Sequence, residues 1–223
     1  MKKLKSCFLV LVMLISLLGV RDTAYARPEP KPEIKNLKIS TKVLRNNTVL
    51  VKLTNNNDKT VTVDVKLTFK KKKDAIGTGK TTFFGVGAGT TSYTAVPYTA
   101  LDFKDGAMPT SVDTKPVIAT NCFKGQIKDI SKILTTKFKN KGTNELWGYD
   151  SLKVKFNNIA KKDIYGTVVV GYYNHDKLVA AQNCYLEIDK GKSYVEMLYP
   201  FIFISENINI DEVKLMQNDL RYR

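Results

Sequence analysis

The chain writes one pattern twice, and that repetition limits its fold more than any other feature. Leu50–Ile76 reads LVKLTNNNDKTVTVDVKLTFKKKKDAI, and Leu152–Val179 reads LKVKFNNIAKKDIYGTVVVGYYNHDKLV. Lys52/Lys155, Leu53/Phe156, Asn55/Asn158, Val61/Ile164, Val65/Val168, Leu67/Val170 and Phe69/Tyr172 correspond at a constant offset of 103. Gly89 and Gly191 match after a one-residue gap, and Tyr98 and Tyr199 follow. In the first copy Val61, Val63, Val65, Leu67 and Phe69 alternate strictly with polar residues. A period of two means a strand with one buried and one wet face. Asn55–Asp58 is a turn, because Asn and Asp bond their own backbone and tolerate positive φ.

The same reading places further strands at Ile76–Val86 and Thr91–Tyr98, with Ile34–Leu44 as a mixed apolar and polar run ending at the Asn46-Asn47 turn and Ser111–Thr120 closing the first domain. Gly85–Gly89 (GVGAG) is a turn between two of them; it lacks the spacing and following helix of a phosphate loop. In the second copy Ile127–Phe138 fits both a helical face and a strand, and its echo of the first copy favours strand. Lys139–Asp150 reads as an inserted loop, Asn209–Met216 as the last strand and Gln217–Arg223 as a polar tail. Short strands with Asn and Gly turns, in two runs each long enough for its own core, predict an all-β chain. The expected architecture is two tandem antiparallel immunoglobulin-like β-sandwiches, residues 34–121 and 122–223. The Cys…Trp…Cys pattern of true immunoglobulin domains is missing.

The N-terminus reads as a secretory signal, residues 1–26. Lys2, Lys3 and Lys5 precede the apolar run Cys7–Val20, and Ala24-Tyr25-Ala26 supplies a small-x-small cleavage site. The run is short for a membrane span, and no second apolar run is long enough after it. Residues 27–33, beginning Arg-Pro-Glu-Pro-Lys, form a linker. Cleavage removes four basic side chains (Lys2, Lys3, Lys5, Arg21) and one acid (Asp22), taking the formal charge from +15 to +12. Such a chain is expected outside the cytoplasm, secreted or at the cell envelope. There its charge attracts anionic cell-wall polymers or headgroups in a salt-screened way. A nucleic-acid partner is not expected, since no recognition motif for one is present.

Strand order and turns in the second copy resemble the FxLYD-type immunoglobulin-like modules of exported Gram-positive bacterial proteins. Lys155-Phe156-Asn157-Asn158 and Gly171-Tyr172-Tyr173-Asn174-His175-Asp176-Lys177-Leu178-Val179 carry the resemblance. Lys177 stands where the family often has Gly, and Phe69–Asp74 departs from the aromatic pair and turn in the first copy. The resemblance implies a β-sandwich at or beyond the cell surface. It implies no activity and offers no ligand residues.

Catalytic chemistry is poorly supplied. His175, the one histidine, falls at an expected hairpin tip, and Cys184 shares strand parity with Leu186 and Ile188, which turns it towards the core. No catalytic residues, metal site or cofactor are expected, and the chain is read as a non-enzyme. Cys122 and Cys184 either pair, closing a loop of about 60 residues and adding about 4 kcal/mol on chain-entropy grounds, or stay as thiols. Two features are candidates for binding. Lys70, Lys71, Lys72 and Lys73 form a basic hairpin tip suited to anionic polymers or an acidic partner. Trp147 and Tyr149, in the inserted loop, could anchor a protein partner or stack on sugars. The expected function is non-enzymatic binding or structural work at the envelope. The alternative is a secreted inhibitor or modulator acting through the Trp147 loop.

Overall fold

The computed structural model describes residues 31–98, 108–119, 127–144, 149–200 and 208–223. Twelve strands are present among them. The first six are β1 (Leu37–Leu44), β2 (Thr48–Asn55), β3 (Val61–Lys71), β4 (Asp74–Val86), β5 (Thr91–Pro97) and β6 (Ser111–Ala119). The second six are β7 (Leu134–Asn144), β8 (Tyr149–Asn158), β9 (Ile164–Asn174), β10 (Lys177–Ile188), β11 (Ser193–Leu198) and β12 (Glu212–Tyr222). They form four antiparallel three-stranded sheets, β1-β2-β5 and β4-β3-β6 in the first half, β7-β8-β11 and β10-β9-β12 in the second. Strand for strand, the second half repeats the first. The chain is all-β, with the sheets of each half facing one another across an apolar interior.

The alternating residues explain the two interiors. Val61, Val63, Val65, Leu67 and Phe69 of β3 meet Val49, Val51 and Leu53 of β2, all fully buried. Ile164, Val168, Val170 and Tyr172 of β9 meet Leu152, Val154 and Phe156 of β8 in the same way.

One buried asparagine per half ties the sheets together. Asn55 Nδ2 donates to the carbonyls of Lys59 (2.8 Å), Val86 (2.9 Å) and Gly87 (3.1 Å). Asn158 Nδ2 donates to those of Lys162 (2.9 Å), Ile188 (3.0 Å) and Asp189 (3.1 Å). Each Oδ1 accepts a backbone N–H two residues on, from Asn57 and Ala160. The side chain therefore closes its own turn and holds the end of the facing sheet. This is why Asn, with both donors and an acceptor, ends the same strand in both copies.

Three sequence expectations need correction. Ile127–Phe138 is not one strand: Ile130–Lys132 is a 3-10 turn, its Asp129 accepting from Ser131 N, and β7 begins at Leu134. The first copy has the same arrangement, a 3-10 turn at Ile34–Asn36 feeding β1. Lys139–Asp150 is mostly strand rather than loop. β7 and β8 stay paired out to Asn144↔Tyr149, past an irregularity at Asn140–Thr143 where Asn140 Oδ1 accepts from Gly142 N. Gln217–Arg223 is no tail: β12 runs on to Tyr222 with Leu220 fully buried. A register shift at Gln217–Asp219 reverses the alternation, which hid the strand. Gly166 sits opposite the shift with φ +123°, where an added Cβ would run into the Asp219 carbonyl.

Pro32–Arg223 pack as one compact unit. Between the two interiors lies a third apolar cluster of Leu44, Leu50, Ala95, Val169 and Ala181, with Tyr93, Leu178 and Met216 against it. The outer face of β1-β2-β5 thus rests on the outer face of β10-β9-β12. Polar groups seal this seam. Asn46 Nδ2 donates to Ala181 O (2.8 Å), and Asn183 both accepts from Ala95 N (3.0 Å) and donates to Ala95 O (3.0 Å).

Tyr172 is fully buried in the second interior, but its hydroxyl has no hydrogen-bond partner among the described residues, and burial raises its pKa well above the usual tyrosine range. Phe69 holds the equivalent place. Tyr172→Phe removes an unmet buried donor at no loss of volume, so it is expected to stabilise the fold by about 1 kcal/mol in urea unfolding.

Candidate functional site

The seam hides two of the four outer sheet faces and leaves two in solvent. On the exposed face of β4-β3-β6, side chains alternate outward from Asp64, Lys66, Thr68 and Lys70. Strand register brings Lys80 and Lys115 directly opposite Lys66, one on each side. The result is a row of three exposed lysines across three strands, about 10 Å from end to end at the usual strand spacing. None of the three is ion-paired among the described residues. Asp64, one rung away, accepts from Thr82 Oγ1 (2.7 Å). That rung also holds Val117, opposite Asp64, and beyond Thr82 along β4 stands Phe84; the two are 54% and 39% exposed. Together these side chains line a shallow groove of about 940 Å³.

Like charges directly opposite one another weaken a sheet, and lysine is a poor strand former beside threonine. The row is thus costly to the fold. Lys66→Thr removes the central charge and both close repulsions. It is expected to stabilise the protein by about 0.5–1 kcal/mol at low salt, and by less at high salt. Thermal unfolding at two ionic strengths checks this.

The equivalent rung in the second half is Asn183–Val169–Met216. Asn183 clamps the Ala95 backbone, and Val169 is fully buried in the seam. The same position in the two copies is therefore interior in one and basic surface in the other.

Lys70–Lys73 lie on the same sheet. β3 and β4 pair to Lys71↔Asp74, so Lys72 and Lys73 form the hairpin turn, with Lys72 at φ 57°. Lys70 is partly buried and ion-paired with Asp113. Thr110 fixes the tip: its N–H donates to Lys70 O (2.7 Å), and its Oγ1 accepts from Lys72 N (3.1 Å). Lys71, Lys72 and Lys73 are exposed. Along β3 the tip is about 20 Å from Lys66. Row and tip together make a basic strip of seven lysines against Asp64, Asp74 and Asp113. The tip was visible in the sequence as a run. The row was not, because Lys66, Lys80 and Lys115 meet only through register.

Of the other sequence candidates, Tyr149 begins β8 opposite Asn144, while Trp147 and Cys122 lie outside the described residues. Cys184 is a free thiol in the second interior, and burial pushes its pKa to about 11. His175 occupies an exposed two-residue turn with Asp176, both at positive φ; its N–H donates to Asp211 Oδ2 (2.8 Å). Cys184 pairs with Val168, six residues along β9 from Asn174, which puts the thiol about 20 Å from His175. The two cannot act as nucleophile and base.

No protein-family profile matches the chain, and no curated protein matches it. Among solved structures it is similar to red sea bream transglutaminase at 11% identity, with a TM-score of 0.24, covering 77% of this chain and 28% of that one. The chain thus spans under a third of that protein's length.

Proposed function

We propose that this is an exported, non-enzymatic binding protein of the cell envelope or its surroundings, and that it holds anionic polymers against the outer face of β4-β3-β6. One observation carries the reading. Three lysines are set in register at the rung where the other copy carries Asn183, Val169 and Met216. A solvated face needs no such row, and the fold loses stability by keeping it. An anion bridging the ammonium groups relieves that repulsion. Lysine suits the task, as a compact charge on a flexible stem that follows an irregular chain of anions. The length of the strip from row to tip favours a polymer over a single small anion. Phe84 and Val117 give the polymer's uncharged parts an apolar rest. The secretory N-terminus and the FxLYD-like turns support the location.

The test is retention of the protein on isolated cell walls and on an immobilised polyanion. Retention should fall with added salt, and fall further when Lys66, Lys80 and Lys115 are all changed to Thr. Trp147→Ala should leave it unchanged. Retention that ignores salt and the lysine changes, but fails on Trp147→Ala, would instead favour a partner-directed inhibitor.

A further inference from the structure

The second exposed face, on β7-β8-β11, is built by the same rule. Register sets Lys137 opposite Lys155 and Lys139 opposite Lys153, a two-by-two block of exposed lysines. Val195 and Met197 of β11 continue these two rungs and are 45% and 38% exposed. The adjoining rung is Thr135–Asn157–Ser193, closed by hydrogen bonds from Asn157 Nδ2 to Thr135 Oγ1 (3.3 Å) and from Ser193 Oγ to Asn157 Oδ1 (2.8 Å). No carboxylate stands on these three rungs. Glu196, the acid of β11, alternates to the other side, where it accepts from Tyr194.

The matching rungs of the first copy are Ser40–Lys52–Tyr93 and Lys42–Leu50–Ala95. There Leu50 and Ala95 are buried in the seam, while Lys42 donates to Leu178 O (3.1 Å) and Lys52 lies over the Tyr93 ring. The covered copy thus keeps two lysines on these rungs, Lys42 and Lys52, each engaged by a neighbour, while the copy open to solvent carries four. Two sheet faces escape the seam, and both carry lysines in register.

We infer that the face of β7-β8-β11 is a second, separate polyanion site, so that one molecule is divalent and links two stretches of anionic polymer. The lysine block supplies the charge, and the Val195–Met197 edge supports the polymer's apolar backbone. The inference rests on the reading of the first face. The two sites lie on outer sheets of different halves, with both interiors and the seam between, so one short ligand cannot fill both. A linear polyanion is favoured over a lipid surface because a membrane would meet one face at a time and leave the other unused.

The experiment uses the full mature chain and inorganic polyphosphate. Calorimetric titration with short polyphosphate should give two equivalents per chain. Changing Lys137, Lys139, Lys153 and Lys155 to Thr should leave one, as should changing Lys66, Lys80 and Lys115. Combining the changes should leave none, with the unfolding transition retained in each variant. Long-chain polyphosphate should scatter light with the parent protein at intermediate ratios and with neither single-face variant. One equivalent in the parent, unmoved by changes at β7-β8-β11, overturns divalency and leaves the first reading standing. Binding lost entirely with the β7-β8-β11 changes, and kept whole with the others, overturns both. Binding to anionic vesicles without any to polyphosphate also overturns both.

Discussion

Val169→Lys is expected to destabilise the protein by at least about 3 kcal/mol, whereas Lys66→Val, the reciprocal exchange, leaves the fold intact and weakens polyanion binding. The two positions match in the repeat, but their surroundings do not. Val169 is fully buried, clustered with Leu44, Leu50, Ala95 and Ala181. A lysine there would place an ammonium among aliphatic groups with no carboxylate in that cluster, and an unpaired buried charge costs several kcal/mol. Lys66 is exposed, and a β-branched residue suits its strand. Urea midpoints separate the two outcomes. Equal, small effects would mean that the seam does not exclude water.

Asn158 supplies the second large effect. Asn158→Ala strips the hydrogen-bond donors from the carbonyls of Lys162, Ile188 and Asp189 and the acceptor from Ala160 N. The Ile188 bond is buried and the other three are part-buried; at about 1–3 kcal/mol for the first and about 0.5–1 kcal/mol for each of the others, the loss should be about 2.5–6 kcal/mol. Asn158→Asp should be worse at neutral pH, because it aims a carboxylate oxygen at carbonyl oxygens. Burial and those carbonyls raise the folded pKa of the new carboxyl above its unfolded value near 4. The native state then binds the proton more tightly, so stability is greatest below the unfolded pKa and falls as pH rises through the folded one. Denaturation of Asn158→Asp between acid and neutral pH, set against Asn158→Ala, reads this slope directly. Asn55 should behave alike, since it makes the same bonds in the first half.

These predictions trace to features with unequal visibility in the sequence. The strands around each interior were legible because Val61–Phe69 alternates without interruption and Ile164–Tyr172 matches it at a constant offset. The offset and the single-residue gap could be read directly, and both reappear in the carbonyls that Asn55 and Asn158 bridge. β12 was hidden where its register shift reverses the alternation. The extended β7–β8 pairing was hidden because Lys139–Asn144 is polar or glycine at every position, so no apolar alternation marks it as strand. The lysine rows were harder still. Lys66, Lys80 and Lys115 are distant in sequence, and only register makes them neighbours. A signal was nonetheless present. Positions that face solvent in one copy, such as Asp64 and Lys66, read Thr167 and Val169 in the other. A wet-face position that turns apolar in only one copy marks a face that is covered there. Comparing the copies at those positions would have located both the seam and the basic face.

The central claim is that Lys66, Lys80 and Lys115 act together as an anion-binding row. The salt dependence of polyphosphate affinity tests it most directly. Polyanion binding that displaces counterions gives a linear fall of log affinity with log salt, whose slope counts the charges engaged. With the β7-β8-β11 face silenced by changing Lys137, Lys139, Lys153 and Lys155 to Thr, changing Lys66 alone to Thr should make that slope shallower by about 0.7 and weaken binding most at low salt. An unchanged slope in a variant that still folds would contradict it.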